Sequence, residues 1–546
     1  MSDSASVRTI RVLDTTLRDG DQSAYGSFSI REKLAIARLL DAAGVDCVET
    51  GFPASSAVDL EACRLISAEG LKADIAVMCR AIPAEIELAA SVLPPSNGII
   101  HLTLPVSDTL MGAKLGKTKR ETLALLRESV RRAADLASLV EMGAEDATRA
   151  DYGFLVDYCA AAIEAGARIV NIADTVGKSA PEDFAALIRN LVRDIPAFAS
   201  GSVTLSVHCH NDMGLASANS RAGLLAGADQ IETTLLGIGE RAGNAATEEL
   251  AAIIALSGAY DGLRAGFVPE KLADAARTVG VVLGLSLSPF KPIIGQNARV
   301  HSSGTHQQAE TRQPGVYEVV PPSRGADSAG SRRTDLSSAR IVLSRHSGRA
   351  GVIGFAARYA SITLGDEDAT AISTMIKELP DAGGLPRRIV GITEFLEMLR
   401  LKEYDVPVPW KLRKFTYKVK NDGFIECRAT VACAGENRRL RAAASNGRTV
   451  LVDLASNLCP TSINLLSSIE SSVYTDEGLS DTLCPSMLSR VYVEAVATGP
   501  ASGQNPAVEC SGRPYCVERI GFNPLRQLFE CMLDVVNAER CICRSA

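Results

Sequence analysis

The run Val203-Thr204-Leu205-Ser206-Val207-His208-Cys209-His210-Asn211-Asp212 decides the fold. It opens as a β-branched, apolar strand and closes on two histidines spaced two apart. Side chains alternate faces along a strand, so His208 and His210 point the same way and can grip one ion. Far upstream, Leu13-Asp14-Thr15-Thr16-Leu17-Arg18-Asp19-Gly20-Asp21-Gln22 offers Asp19 as a hard oxygen ligand, with Arg18 beside it. Two imidazoles and a carboxylate leave coordination positions open for substrate. That set suits Zn²⁺, Mn²⁺ or Mg²⁺ acting as a Lewis acid on a carbonyl oxygen. The chain has only six histidines, and two of them in one such spacing at a strand end favour a metal over a structural pair.

Outward from that strand, short β-branched runs alternate with amphipathic helical stretches. The expected strands are Ile10 to Thr15, Asp46 to Gly51, Ile75 to Cys79, Gly98 to Leu104, Leu139 to Gly143, Ile169 to Ala173, Val203 to Val207 and Gln230 to Leu235. Helical periodicity covers Ile30 to Ala43, Lys119 to Ala134 and Leu155 to Ala165, with Ala43-Gly44 and Ala165-Gly166 as C-caps. Eight βα units in about 250 residues are the count and length of a TIM (β/α)8 barrel, an α/β fold. An open doubly wound sheet is disfavoured, because the polar residues follow several strands rather than one switch point. They should meet at one mouth: Arg18 and Asp19 after strand one, His101 within strand four, and Glu145 and Asp146 after strand five. Asn171, Asp174 and Thr175 close strand six. Strand eight runs into Gly237-Ile238-Gly239-Glu240-Arg241-Ala242-Gly243-Asn244, which lacks dinucleotide-binding spacing. Its glycines leave room near the metal, with Asn244 as a candidate oxygen ligand or a donor to one.

At 546 residues the chain is too long for one ordinary domain. A hydrophobic content of 46% with 22% charged residues describes a soluble globular protein, and the formal net charge of −7 argues against nucleic acid or an anionic membrane as partner. The apolar runs fall short of the ~20 residues that span a bilayer, and Met1 to Ser6 has no signal-peptide character, so a cytoplasmic location is expected. Fourteen cysteines without a C-x-x-C pair read as small buried hydrophobes, with Cys541-Ile542-Cys543 a weak redox or metal hint.

From Arg11 to about Arg349 the chain resembles the 2-isopropylmalate synthase and homocitrate synthase family. The motifs, in family order, are Leu17 to Gln22, Glu49-Thr50-Gly51-Phe52-Pro53, Gly143-Ala144-Glu145-Asp146, Asp174-Thr175-Val176-Gly177, His208 to Asp212, Gly239 to Asn244, Ser303-Gly304-Thr305-His306-Gln307 and His346-Ser347-Gly348-Arg349. The resemblance implies condensation of acetyl-CoA with a 2-oxo acid in a metal-dependent barrel. It implies ligation by Asp19, His208 and His210 with Asn244 on or near the ion, polarisation of the 2-oxo acid by Arg18, and binding of its carboxylate by Thr175. It further implies a homodimer in which His306 and Tyr317, supplied by the partner subunit, join Glu145 in acid-base chemistry. Independently of the family, such a condensation needs a base for the thioester methyl and positive charge where the alkoxide forms.

Beyond a barrel over 1–266, residues 267–410 should form helical linker subdomains that supply acid-base residues. Pro321 to Arg333 has the composition of a flexible loop, and His346 to about Glu403 should be a small helical subdomain. Residues 411–546 turn to strands (Phe415 to Val419, Ile425 to Ala432, Leu440 to Ala444, Arg490 to Ala497) with helices Val450 to Leu458 and Leu525 to Asn537. This resembles the α+β regulatory domain of leucine-inhibited family members, although Ser445-Asn446-Gly447-Arg448 replaces their Gly-Asn-Gly-Pro turn.

The 2-oxo acid is less legible. Gly143 replaces the serine usual in isopropylmalate synthases and enlarges the pocket, while Glu141 stands where lysine-pathway homocitrate synthases place an arginine. Arg80 can face an anionic group or pair with a carboxylate. The substrate-binding set is therefore Arg18, Arg80, His101, Gly143, Asn171 and Thr175, and a specialised synthase acting on phosphonopyruvate or phenylpyruvate stays open. A related acyl-CoA lyase and a metal-dependent sensor are the remaining readings. The first is disfavoured by the long C-terminal extension, the second by the complete set of Arg18, Glu145 and His306.

Overall fold

The computed structural model describes residues 7–24, 26–285, 287–313, 315–317, 340–379, 389–420, 424–444, 447–456, 458, 461–474, 487–500, 514–521 and 529–538. The stretch 321–333, the Ser445-Asn446 part of the turn and the terminal Cys541 and Cys543 lie outside them. The chain forms two compact units, Met1–Leu285 with Lys291–Gly295, and Ser286–Phe290 with Gln296–Ala546.

In the first unit eight parallel strands close into a barrel. They are β1 Arg11–Asp14, β2 Cys47–Glu49, β3 Asp74–Arg80, β4 Gly98–Pro105, β5 Leu139–Glu145, β6 Ile169–Asp174, β7 Thr204–Cys209 and β8 Gln230–Thr233. All eight expected strands are present, and closure comes from β1 against β8, with Arg11 opposite Gln230 and Asp14 opposite Thr233. Strands covered by helices outside and side chains inside are buried on both faces, as the wholly buried run Ile-Val-Asn-Ile-Ala-Asp of β6 shows. Leu13, Cys47, Ala76, Ile99 and Ile169, from β1, β2, β3, β4 and β6, form one apolar cluster. Each fully buried aliphatic side chain of this kind contributes about 1.5–3 kcal/mol.

Helix ends follow local chemistry. Ile30–Ala43 starts at a capping box in which Ser29 and Glu32 satisfy each other's backbone N–H groups, and it stops at Gly44 with φ +83°. Lys119–Ala134 has the same box with Thr118 and Glu121. Helix Pro269–Val282 belongs to the barrel unit: Val268 N–H donates to the Ala43 carbonyl at 2.7 Å and Lys271 Nζ to that of Ala42 at 2.8 Å. The compact unit therefore runs past residue 266.

The second unit contains helices Arg349–Tyr359, Asp366–Lys377 and Ile392–Leu401 and an antiparallel sheet of Lys411–Val419, Ile425–Cys433 and Glu436–Ala444. A second antiparallel sheet joins Thr461–Tyr474, Met487–Pro500 and Pro514–Gly521. The first and last of these strands escaped the sequence reading. One core, with Phe355, Phe395, Val431, Leu454 and Phe529, runs across position 410. Asp534 and Asn537 of helix 529–538 fasten it by accepting from the backbone N–H of Thr393 at 3.0 Å and of Trp410 at 2.7 Å.

Candidate active site

The backbone turns sharply after β1: the N–H groups of Arg18, Asp19 and Gly20 all donate to the Thr15 carbonyl at 2.9–3.2 Å. That turn brings Asp19 against the end of β7. The ligand atoms of Asp19, His208 and His210 lie within 4.8 Å of one another, and all three residues are buried. His210 Nδ1 is 3.1 Å from the Gly243 carbonyl, which can only accept, so this nitrogen carries the proton and Nε2 keeps its lone pair. His208 Nδ1 likewise meets Glu232 Oε2 at 2.9 Å. The two Nε2 atoms face each other at 3.3 Å, a distance suited to two lone pairs sharing an ion. Burial pushes both imidazoles down to about 4, so both are neutral ligands at neutral pH. Burial alone would raise Asp19, but the Arg18 guanidinium and the two histidines hold it well below the usual carboxylate range.

Asn244 completes the group. Its amide donates to Asp19 Oδ1 at 3.0 Å and to the Ile238 carbonyl at 3.1 Å, whereas its buried Oδ1 has no partner. An orphaned oxygen beside two bare imidazole nitrogens and a carboxylate fits a divalent ion. Gly239 makes this approach possible, since a Cβ there would lie 2.6 Å from Asp19 Oδ1 and collide with the Asn244 amide.

Arg18 is locked between acids. Nε donates to Glu49 Oε2 at 2.6 Å and Nη1 to Asp19 Oδ2 at 2.9 Å. Glu49 Oε1 meets His101 Nδ1 at 2.8 Å. Burial opposes the Glu49 charge, yet Arg18 and His101 bring it down to about 2. His101 is raised to about 9, burial being outweighed by Glu141 and Glu49. Glu141, fully buried, is pushed up to about 8 by desolvation and by Glu232, against the opposing pull of His101. Its Oε1 accepts from Gln230 Nε2 at 3.0 Å.

Arg18, Asp19, His101, His208, His210 and Glu232 stand at the wall of one cavity of about 900 Å³. Of the residues singled out from sequence, Arg18, Asp19, Arg80, His101, Gly143, Glu145, Asn171, Thr175, His208 and His210 all line it. Within it, Asn171 donates to Glu232, and Thr175 Oγ1 accepts from the Asp146 N–H at 2.8 Å. Arg80 pairs with Glu85 and leans over the Phe52 ring at 5.8 Å. Glu141 is not among the residues that line the cavity.

His306 and Tyr317 belong to the other unit, where their rings stack at 4.3 Å between centroids with His301 next to both. Buried Gln307 binds that helix to the second motif: its amide donates to the carbonyls of His301 (2.9 Å) and Val342 (2.7 Å) and to Ser347 Oγ (3.1 Å). One side chain thus ties the two motifs together.

The sequence reading gave no role to Glu49, Glu232, Lys33 or Lys114. An acidic residue inside a strand buried on both faces, such as Glu232 in Gln230–Thr233, is the signal that was there to be used. Lys33, fully buried, donates to Asp59 Oδ1 (2.5 Å) and the Leu17 carbonyl (2.9 Å) and pairs with Asp21 at 2.8 Å, bracing the loop that carries Arg18 and Asp19.

Residues 9–279 match the family model described as HMGL-like, and residues 293–384 that described as homocitrate synthase post-HMGL domain-like. A 2-isopropylmalate synthase of Nitratidesulfovibrio vulgaris is 37% identical over 430 residues, 77% of this chain and 79% of the relative. That of Solidesulfovibrio magneticus is 39% identical over 373 residues (68% and 70%), and that of Pyrococcus furiosus 36% over 431 residues (76% and 82%).

Proposed function

The chain belongs to the 2-isopropylmalate synthase and homocitrate synthase family, and from that premise we propose that it condenses acetyl-CoA with a 2-oxo acid whose side chain is uncharged, of the 2-oxoisovalerate kind. The observation that carries the substrate class is the state of the cavity's cations. Arg18, Arg80, Lys114 and Arg241 already have acidic partners in Glu49 and Asp19, Glu85, Glu145, and Asp212. Met78, Leu104, Leu115 and Leu125 supply apolar wall between them. A second anionic group on the substrate, as in 2-oxoglutarate or phosphonopyruvate, would have to break one of these pairs or turn to Lys117, which lines the same cavity.

Asp19, His208, His210 and Asn244 would hold the divalent ion, Mg²⁺, Mn²⁺ or Zn²⁺, which supplies a Lewis acid beside the 2-oxo carbonyl. Arg18, its charge fixed by Glu49, places a guanidinium where oxygen charge develops. The Thr175 hydroxyl hydrogen is free for the substrate carboxylate, since its oxygen already accepts from Asp146. Glu145 takes a proton from the thioester methyl, the C–H pair becomes the new C–C bond, and the carbonyl pair becomes an alkoxide that is then protonated. Water cleaves the thioester to release CoA. His306 and Tyr317 reach this cavity from a second copy of the chain, as acid-base partners of Glu145. The eight described cysteines are free thiols, which is in keeping with a cytosolic enzyme.

The test is release of free CoA thiol from acetyl-CoA by metal-loaded protein across 2-oxoisovalerate, phenylpyruvate, pyruvate, 2-oxoglutarate, oxaloacetate and phosphonopyruvate. Turnover confined to the uncharged side chains is expected. A preference for 2-oxoglutarate or phosphonopyruvate overturns the substrate class, and silence with every acid overturns the condensation.

A further inference from the structure

We propose that Lys114 is a positioning residue for the acid-base carboxylate of Glu145. Strand β4 ends at Pro105, and the chain then makes a short turn from Asp108 to Leu110 that widens into a π-helical turn, Met111–Leu115, closed by Gly116 at φ +61°. A π turn is uncommon and recurs at functional sites, because it displaces side chains from α-helical spacing. Here it delivers Lys114, whose Nζ donates to Glu145 Oε1 at 2.5 Å. Both residues line the cavity that holds Asp19 and His208.

The same segment grips the end of β5 at two further points. The Val106 N–H donates to the Glu145 carbonyl at 2.9 Å, and Ser107 Oγ donates to the carboxylate of the neighbouring Asp146. Asp146 itself sits in the left-handed region at φ 66°, a conformation costly to a residue with a side chain. Glu145 is therefore aimed by a strained turn behind it and by an ammonium in front of it. Glu145 is largely buried and Lys114 about half exposed, so the lysine holds the carboxylate from the open side of the cavity. An ion pair of this geometry fixes which oxygen of Glu145 is free: Oε1 is engaged by Lys114, and Oε2 is left for the methyl proton.

This role rests on Glu145 acting as proposed above, and the experiment separates the two. Lys114→Met, Lys114→Arg, Glu145→Gln and the double variant Lys114→Met with Glu145→Gln are compared in kcat and in KM for the 2-oxo acid. Expected are a roughly tenfold or greater fall in kcat for Lys114→Met with that KM within about twofold, recovery of most of the loss in Lys114→Arg, and a double variant no slower than Glu145→Gln alone. Wild-type kcat in Lys114→Met beside a crippled Glu145→Gln overturns the role of Lys114 only. Multiplicative losses in the double variant do the same, because two independent sites add in free energy. A fully active Glu145→Gln overturns the catalytic reading of Glu145, and the lysine's role with it.

Discussion

The Asn244 amide donates to Asp19 Oδ1 at 3.0 Å while its own Oδ1 stays buried without a partner. A buried carbonyl oxygen left bare costs roughly 1–3 kcal/mol, so this arrangement makes sense with a cation in reach of both side chains. Binding of Mn²⁺, followed by calorimetry, should weaken about 10- to 100-fold in Asn244→Ala and further in His208→Ala. Unchanged affinity in both variants would remove these residues from the metal site.

Gly239 controls how closely the loop after β8 approaches that site. A methyl group there meets Asp19 Oδ1 at 2.6 Å and the Asn244 amide. Gly239→Ala should cost about 1–3 kcal/mol of stability from overpacking and lower metal affinity together. Denaturant unfolding with and without metal checks both, and a variant equal to wild type in each would refute the contact.

Glu141 sets a pH dependence. It titrates near 8 in the native protein against 4.5 as a free side chain, so between those values the native state holds a proton that the unfolded chain has released. Native stability should fall as pH rises through that window. Glu141→Gln cannot ionise and should lose that slope. Urea midpoints from about pH 5 to 9 decide it: parallel curves for wild type and variant would exclude Glu141 as the source.

His306→Ala should leave binding of the 2-oxo acid nearly intact and cut turnover by roughly 10²-fold or more, as for an acid-base group. Single-turnover rates beside equilibrium binding separate the two effects. If the histidine acts across a dimer, mixing inactive His306→Ala with inactive Glu145→Gln subunits should restore activity. No recovery after verified subunit exchange would confine the pair to one chain.

Strand order, helix starts and the metal-ligand set were legible because each rests on local spacing. His208 and His210 share a strand face by period two, and Ser29 with Glu32 or Thr118 with Glu121 spell a helix start within four residues. Glu49 and Glu232 can be flagged as acids inside buried strands, but their histidine partners, like Asp59 for Lys33, lie more than twenty residues away and cannot be read from local spacing. Lys114 reads as a surface lysine until a π turn swings it onto Glu145. The sequence by itself pointed to the barrel, since polar residues after several of the eight apolar strands meet at one mouth in a closed barrel and not at the single switch point of an open sheet. Only the tertiary structure decided which charges cancel: Arg80 is spent on Glu85, Arg18 is shared by Glu49 and Asp19, and burial pushes Glu141 up. Ion pairing and desolvation act over a few ångströms between residues that the chain order keeps far apart.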